Sequence, residues 1–221
     1  MKKYLSSVLK ISWIQNILLK FFVWVHNFAY KAISSLVLVD NNGQHPKHAI
    51  LNYEKFYRDN LIETDTVLDI GCGNGTLAAA VATKVKKVVA IEIEQKNIEE
   101  AKRKNQKDNI EYIHGDATVW NPDQKFDSIL LSNVLEHIEN RVEFLQKIHK
   151  LSNKILLRVP MIDRDWLPVF KRDHGFEYRL DSTHFIEFTL PELQAELNQS
   201  GWKLDSYTIQ FGELWGIVTQ Q

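Results

Sequence analysis

The stretch Thr66–Gly75, TVLDIGCGNG, decides the fold. Val67, Leu68 and Ile70 make the β-branched and aliphatic run of a buried strand, and Gly71, Gly73 and Gly75 follow at every second position. Alternating glycines let the backbone turn tightly and approach a ligand with no Cβ in the way. The dinucleotide fingerprint G-x-G-x-x-G/A wants a glycine or alanine five residues after its first glycine, and here that position is Thr76. A plain strand-to-helix turn is the bland alternative for this stretch alone.

Strand and helix patterns alternate downstream of the loop. Thr76–Val85 reads as a helix whose N-terminus faces whatever the glycines hold, and Val88–Ile93 as a second strand ending in Glu92. That carboxylate stands 17 residues beyond Gly75, at the carboxyl end of a neighbouring parallel strand, where an acid can take both hydroxyls of a ribose. A polar helix over 94–107, a strand over 110–116 closing on Gly115 and Asp116, a strand over 126–133, a helix over 134–151 and a strand over 154–160 continue the rhythm. This order predicts a doubly wound parallel sheet with ligands at the carboxyl ends of its strands. Two last strands, 203–210 and 213–219, follow a helix that starts at Thr189 or Leu190 and stops at Gly201.

The ordered set of Asp69 with its three glycines, Glu92, Gly115-Asp116 and Ser132-Asn133-Val134 resembles class I S-adenosylmethionine-dependent methyltransferases over about residues 48–220. The resemblance implies an α/β fold: a doubly wound, mostly parallel seven-stranded sheet with an antiparallel last strand. It implies S-adenosylmethionine as cofactor, held by Asp69, Gly71, Cys72, Gly73, Gly75, Glu92, Ile93, Asp116, Ala117 and Asn133. In the family's pattern the acid at position 116 accepts from the adenine amine, and Ala117 is small enough to let its own amide meet the ring.

For chemistry, His137 in SNVLEHI is the first candidate base and His184 in DSTHFIEFT the second. On a helix after the fourth strand, Asn133, Glu136 and His137 would share one face. The same segment resembles ubiquinone-biosynthesis and small-RNA methyltransferases, in which E-x-x-E-H supports a divalent metal. Asn133 stands where the first glutamate belongs, so the expectation is no resident metal.

The chain has 221 residues, enough for one α/β domain with a decorated terminus, and 44% hydrophobic content supports a sizeable core. Its net charge of -1 speaks against nucleic acid as partner. The single cysteine, Cys72, fits a reducing compartment, and the expected location is the cytoplasm, with peripheral contact at the inner face of the membrane as a further expectation. Residues 4–39 are rich in Leu, Ile, Phe and Trp but interrupted by Lys10, Lys20, His26 and Lys31. They read as two amphipathic helices, about 4–19 and 21–38, forming a lid or cap or lying in a membrane interface. The domains expected are therefore 1–47, helical cap and linker, and 48–221, the methyltransferase domain.

Residues 161–189 form a long aromatic and charged insertion on the expected substrate side, from which Arg164, Trp166 and Arg179 are the candidate acceptor contacts. R-V-P-x-x-D-R-D-W followed by D-x-T-H resembles methyltransferases of surface-glycan biosynthesis, which implies a small-molecule, sugar or lipid-linked glycan acceptor methylated at oxygen. A nucleic-acid or protein methyltransferase and a non-catalytic cofactor-binding protein are the alternatives. His45, Lys47 and His48, ahead of the glycine loop, are further candidates for the methionine end of the cofactor.

Overall fold

The structure is a computed structural model that describes residues 12–40 and 46–221. It divides into two compact units: the described residues up to Leu51 together with Phe170–Glu177, and Asn52–Val169 with Tyr178–Gln221.

The second unit is built on a seven-stranded sheet. Its strands are β1 (Thr66–Ile70), β2 (Lys87–Glu92), β3 (Ile110–His114), β4 (Ser128–Ser132), β5 (Lys154–Pro160), β6 (Trp202–Gln210) and β7 (Glu213–Gln220). They lie in the order β3-β2-β1-β4-β5-β7-β6, with β1 to β5 parallel and β7 antiparallel to both of its neighbours. The reversal between β1 and β4 is where a doubly wound sheet opens a crevice at its carboxyl edge. The central strands are the most apolar. Val67, Leu68, Ile129, Leu130, Leu131, Ile155 and Leu156 have no exposed surface, as strands covered on both faces require.

The helices of this unit are α3 (Tyr53–Asp59), α4 (Thr76–Ala82), α5 (Gln95–Lys104), α6 (Arg141–Ile148) and α8 (Leu190–Gln199). Thr189 caps α8 through a reciprocal box with Glu192, so that helix starts where the sequence places it. The expected helix over 134–151 is interrupted. Asn133 sits at a left-handed φ of 57°, Leu135–His137 makes one 3-10 turn, and Ile138 is extended before α6 begins. Asn133, Glu136 and His137 therefore do not share an α-helical face. Similarly, Asn52 at φ 46° separates α3 from α2 (Pro46–Leu51), although Ile50, Tyr53, Phe56 and Tyr57 recur at helical spacing across it and by periodicity alone read as one helix over 48–60.

In the first unit, α1 is a single helix from Ser12 to Asp40. The expected break near Lys20 is absent because no glycine or proline falls in this span to interrupt the hydrogen-bond ladder. Residues 4–11 of the expected first helix, and His45, lie outside the described residues. Packed against α1 is the segment Phe170–Glu177, which holds the end of α7 (Trp166–Asp173). Lys171 Nζ donates to Asn27 Oδ1 at 2.6 Å and meets His26 Nδ1 at 3.2 Å, and Asn27 Nδ2 donates to the Glu177 carbonyl at 3.0 Å.

Candidate functional site

The glycine loop emerges from β1 and is tied to β2: Gly71 N–H and Cys72 N–H both donate to the Ile91 carbonyl, at 2.8 and 3.2 Å. Gly75 adopts φ 78°, and a Cβ there would come within 2.4 Å of the Tyr112 hydroxyl, so glycine is the residue this turn accepts. Gly73, at φ 54°, faces open space instead. Glu92, at the end of β2, spreads its carboxylate over the loop, accepting from Gly73 N–H and Glu94 N–H at 2.9 Å each.

Asp69 differs from Glu92. It is 1% exposed, and its Oδ2 is buried with no hydrogen-bond partner. Burial, reinforced by the negative charge of Glu92, pushes its carboxyl up to about 8. An acid in that condition is completed by a cationic ligand group, which would restore its ionised form. Cys72 is also buried, and burial with Asp69 and Glu92 nearby raises its thiol above the ordinary range. That favours packing over nucleophilic attack.

Past β3, Asp116 Oδ1 accepts from Thr118 N–H at 2.8 Å and Thr118 Oγ1 at 2.7 Å, fixing the turn through Ala117. Ile93 and Val119 are 59% and 73% exposed here, two apolar side chains that a flat heteroaromatic ring would cover. Together with Asp116, His137, Ile138 and Phe185 they line a cavity of about 620 Å³. The cavity thus runs from the expected adenine side to the candidate base.

Asn133 places its backbone N–H on the Arg158 carbonyl at 2.9 Å and leaves its Oδ1 buried and unpartnered. Glu136 has no exposed surface and both carboxylate oxygens unpartnered. Burial pushes its carboxyl up to about 8, with Arg158 opposing the shift and Glu213 and Glu187 adding to it. The rings of His137 and His184 meet edge to face at 4.7 Å. Thr183 Oγ1 lies 3.0 Å from His137 Nδ1 and donates to Asp181 Oδ1 at 2.8 Å. The Thr183 proton is thereby committed to Asp181, so His137 donates from Nδ1 and its Nε2 is the proton-accepting nitrogen. Desolvation of the ring and the adjacent His184 lower the His137 pKa, which favours its neutral form.

Glu136, His137 and His184 bring one donor atom each within 4.8 Å of one another. Two imidazoles and a carboxylate are a donor set that could hold a divalent cation.

The insertion behaves differently from expectation. Arg164 is a structural tie: its guanidinium donates to Glu187, to the Met161 carbonyl at 2.9 Å and to the Tyr178 carbonyl at 2.9 Å. Glu187 is fully buried and also accepts from Leu180 N–H and meets His184 Nδ1 at 3.2 Å. Burying that carboxylate requires such partners, which is why Arg164 faces inward and does not reach toward an acceptor. Arg179 donates to the His184 carbonyl at 2.8 Å, while Trp166 is 72% exposed.

Sequence reasoning met Asp181 and Thr183 within the D-x-T-H motif but gave them no role beside His137, and it did not single out the buried pair of Arg158 and Glu213. Arg158 grips Glu213 through two bonds of 2.7 and 3.0 Å and stacks 4.4 Å from the Tyr53 ring. The short spacing of Asp181, Thr183 and His184 was a visible signal for the first two; the second pair joins β5 to β7, and nothing in the linear order announces it.

Residues 68–154 match a family model described as a methyltransferase domain. The chain is 31% identical over 141 residues to (S)-tetrahydroprotoberberine N-methyltransferase of Eschscholzia californica, a match covering 61% of this chain and 39% of that protein. It is 34% identical over 97 residues to the mitochondrial ubiquinone biosynthesis O-methyltransferase of Schizosaccharomyces pombe, covering 42% of this chain and 35% of the relative. The chain therefore spans well under half the length of these curated relatives. Among solved structures, the complex of DhpI with S-adenosylhomocysteine superposes with a TM-score of 0.64 at 19% identity, covering 88% of this chain and 94% of that one. Magnesium protoporphyrin IX methyltransferase from Synechocystis superposes with a TM-score of 0.58 at 17% identity, over 89% and 84%. The fold is that of class I methyltransferases, and residues 68–154 resemble a methyltransferase domain.

Proposed function

We propose that this chain, built on a methyltransferase domain, transfers the methyl group of S-adenosylmethionine to an oxygen of a small polar acceptor, a sugar or lipid-linked glycan among the candidates. The observation that carries the reading is the pair of buried, unpartnered acceptors, Asp69 Oδ2 and Asn133 Oδ1, beside a glycine loop whose Gly73 opens on free space. These are the groups a sulfonium-bearing amino acid would satisfy, and the exposed Ile93 and Val119 suit its adenine.

Bound there, the cofactor supplies an already activated methyl electrophile. The residues then have to orient and exclude water, which is where most of the rate enhancement in such a transfer originates. Asp69 and Asn133 would hold the methionine end, Glu92 would accept the ribose hydroxyls on the lone pairs that its loop amides leave, and Asp116 would read the adenine edge. His137, neutral and held in one tautomer through Thr183 and Asp181, takes the proton that an acceptor hydroxyl releases. A net charge of -1 supports a small acceptor over nucleic acid, and the curated relatives include small-molecule N- and O-methyltransferases.

The test combines calorimetry with labelled donor. Asp69→Ala is expected to abolish S-adenosylmethionine binding, and incubation with labelled donor and a fractionated cell extract is expected to label the small-molecule or glycan-lipid fraction. Unchanged affinity in the variant sinks the cofactor site; label confined to protein or nucleic acid sinks the acceptor class.

A second reading draws on the cluster of Glu136, His137 and His184: a divalent cation held there would orient the acceptor oxygen. Dialysis against EDTA separates the two, since a rate that survives it leaves His137 acting as base.

A further inference from the structure

We propose that α1 lies flat on an anionic lipid bilayer, inserting one aromatic stripe into the interface without crossing it. Trp13, Ile17, Phe21, Trp24 and Phe28 recur at four- and three-residue intervals, which places them on one side of the helix. Each is more than half exposed. The rings of Phe21, Trp24 and Phe28 form a continuous surface, Phe21 to Trp24 at 6.4 Å and Trp24 to Phe28 stacked at 5.8 Å. Amphipathic indole and phenyl groups of this kind favour the boundary between headgroups and acyl chains.

Charge names the occupant. The first 39 residues carry five of the chain's 27 basic side chains, all lysine, and none of its 28 acidic ones. The rest of the chain is left with a surplus of six acidic groups, so the apolar segment is net positive because it lacks acids. A second copy of this chain would bring the same positive charge to the contact, whereas anionic headgroups complement it.

The packing within the first unit decides between lying and spanning. Trp13–Val39 is long and apolar enough to cross a bilayer by composition, and little of it is buried. Yet the middle of the helix is already claimed along the flank of that stripe. His26 and Asn27 hold Lys171 and the Glu177 carbonyl, within a segment that also carries Arg172, Asp173 and His174. That polar segment could not follow the helix midpoint into hydrocarbon. The stripe faces the lipid, and the polar segment held at its flank by His26 and Asn27 stays at the level of the headgroups.

The experiment is flotation of the full chain with vesicles of phosphatidylcholine alone and of phosphatidylcholine mixed with phosphatidylglycerol. Binding is expected to the mixed vesicles and to weaken as salt is raised. The double variant Trp24→Gln/Phe28→Gln is expected to lose at least about tenfold in affinity. Lys20→Gln and Lys31→Gln are each expected to weaken binding about fivefold to the mixed vesicles only. Unchanged S-adenosylmethionine affinity in the variants shows that the fold survives; the salt series on the unaltered chain stands even if a variant fails to fold. Absence of flotation with mixed vesicles overturns the proposal, as does retention through an alkaline carbonate wash, which marks a span. A lipid-free dimer abolished by Trp24→Gln/Phe28→Gln also overturns it and assigns the stripe to a second copy.

Discussion

The glycine loop after β1 and the segment after β5 both gather charge at the carboxyl edge of the sheet, and they use it in opposite ways. Around the loop, Asp69 and Asn133 bury oxygens that nothing in the chain satisfies. In the segment, Glu187 is equally buried but is met by Arg164, Leu180 N–H and His184. An unpartnered buried acceptor costs about 1–3 kcal/mol and is tolerated where a ligand completes it, whereas a completed network is architecture. The same residue types are thus left unsatisfied in one region, where we propose the cofactor binds, and satisfied as a scaffold in the other.

Arg164→Ala breaks the comparison most severely. Leaving Glu187 buried without its guanidinium is expected to cost about 3–5 kcal/mol in denaturant unfolding, with S-adenosylmethionine affinity of the folded fraction nearly unchanged. A large affinity loss with no change in stability would return Arg164 to the binding residues.

Asp69 is expected to show the opposite trade. Its folded pKa of about 8 lies above its ordinary value, so the folded chain holds a proton that the unfolded chain releases. The resulting stability is complete below about pH 4 and lost as pH rises through 8. Asp69→Asn should therefore match the parent near pH 4 and exceed it by roughly 2–5 kcal/mol at pH 8 and above without added cofactor, while losing cofactor affinity. Thermal melts across this range, with calorimetry alongside, check both halves.

Within the catalytic side, His137→Gln is expected to lower kcat about 10²–10³-fold with cofactor affinity intact. Thr183→Val, which removes only the link that holds the ring, should cost about tenfold and shift the pH profile of kcat. Equal losses in the two variants would make Thr183 more than a positioning residue. The smallest effect sharpens the loop itself: Gly73→Ala meets no neighbour, so it should cost only about 1 kcal/mol for its positive φ. It should weaken cofactor binding by more than that, because the free space is where the ligand approaches.

The central sheet and the glycine loop were legible because both are local signals. Strands β1 to β5 are apolar runs bounded by turn formers, and the position of each acid follows from the strand that ends in it. Helical periodicity misled at Asn52 and Asn133, where a left-handed residue interrupts a pattern that stays apolar on both sides. In α1 the error ran the other way, since charges spaced along a segment do not break a helix that lacks glycine and proline. Arg164 read as an acceptor contact because its immediate neighbours, Asp163 and Asp165, carry no sign of the carboxylate it will meet, 23 residues later.

The sequence by itself determined the α/β order, the glycine loop and the placing of Glu92 at a strand end, since backbone freedom, apolar periodicity and strand-end position are encoded within a few residues. Tertiary structure alone decided which charges are satisfied: that Arg164 serves Glu187, that Arg158 serves Glu213, and that Asp69 and Glu136 are left buried and waiting. Solvation depends on everything packed around a group, and that surrounding comes from segments far apart in the chain.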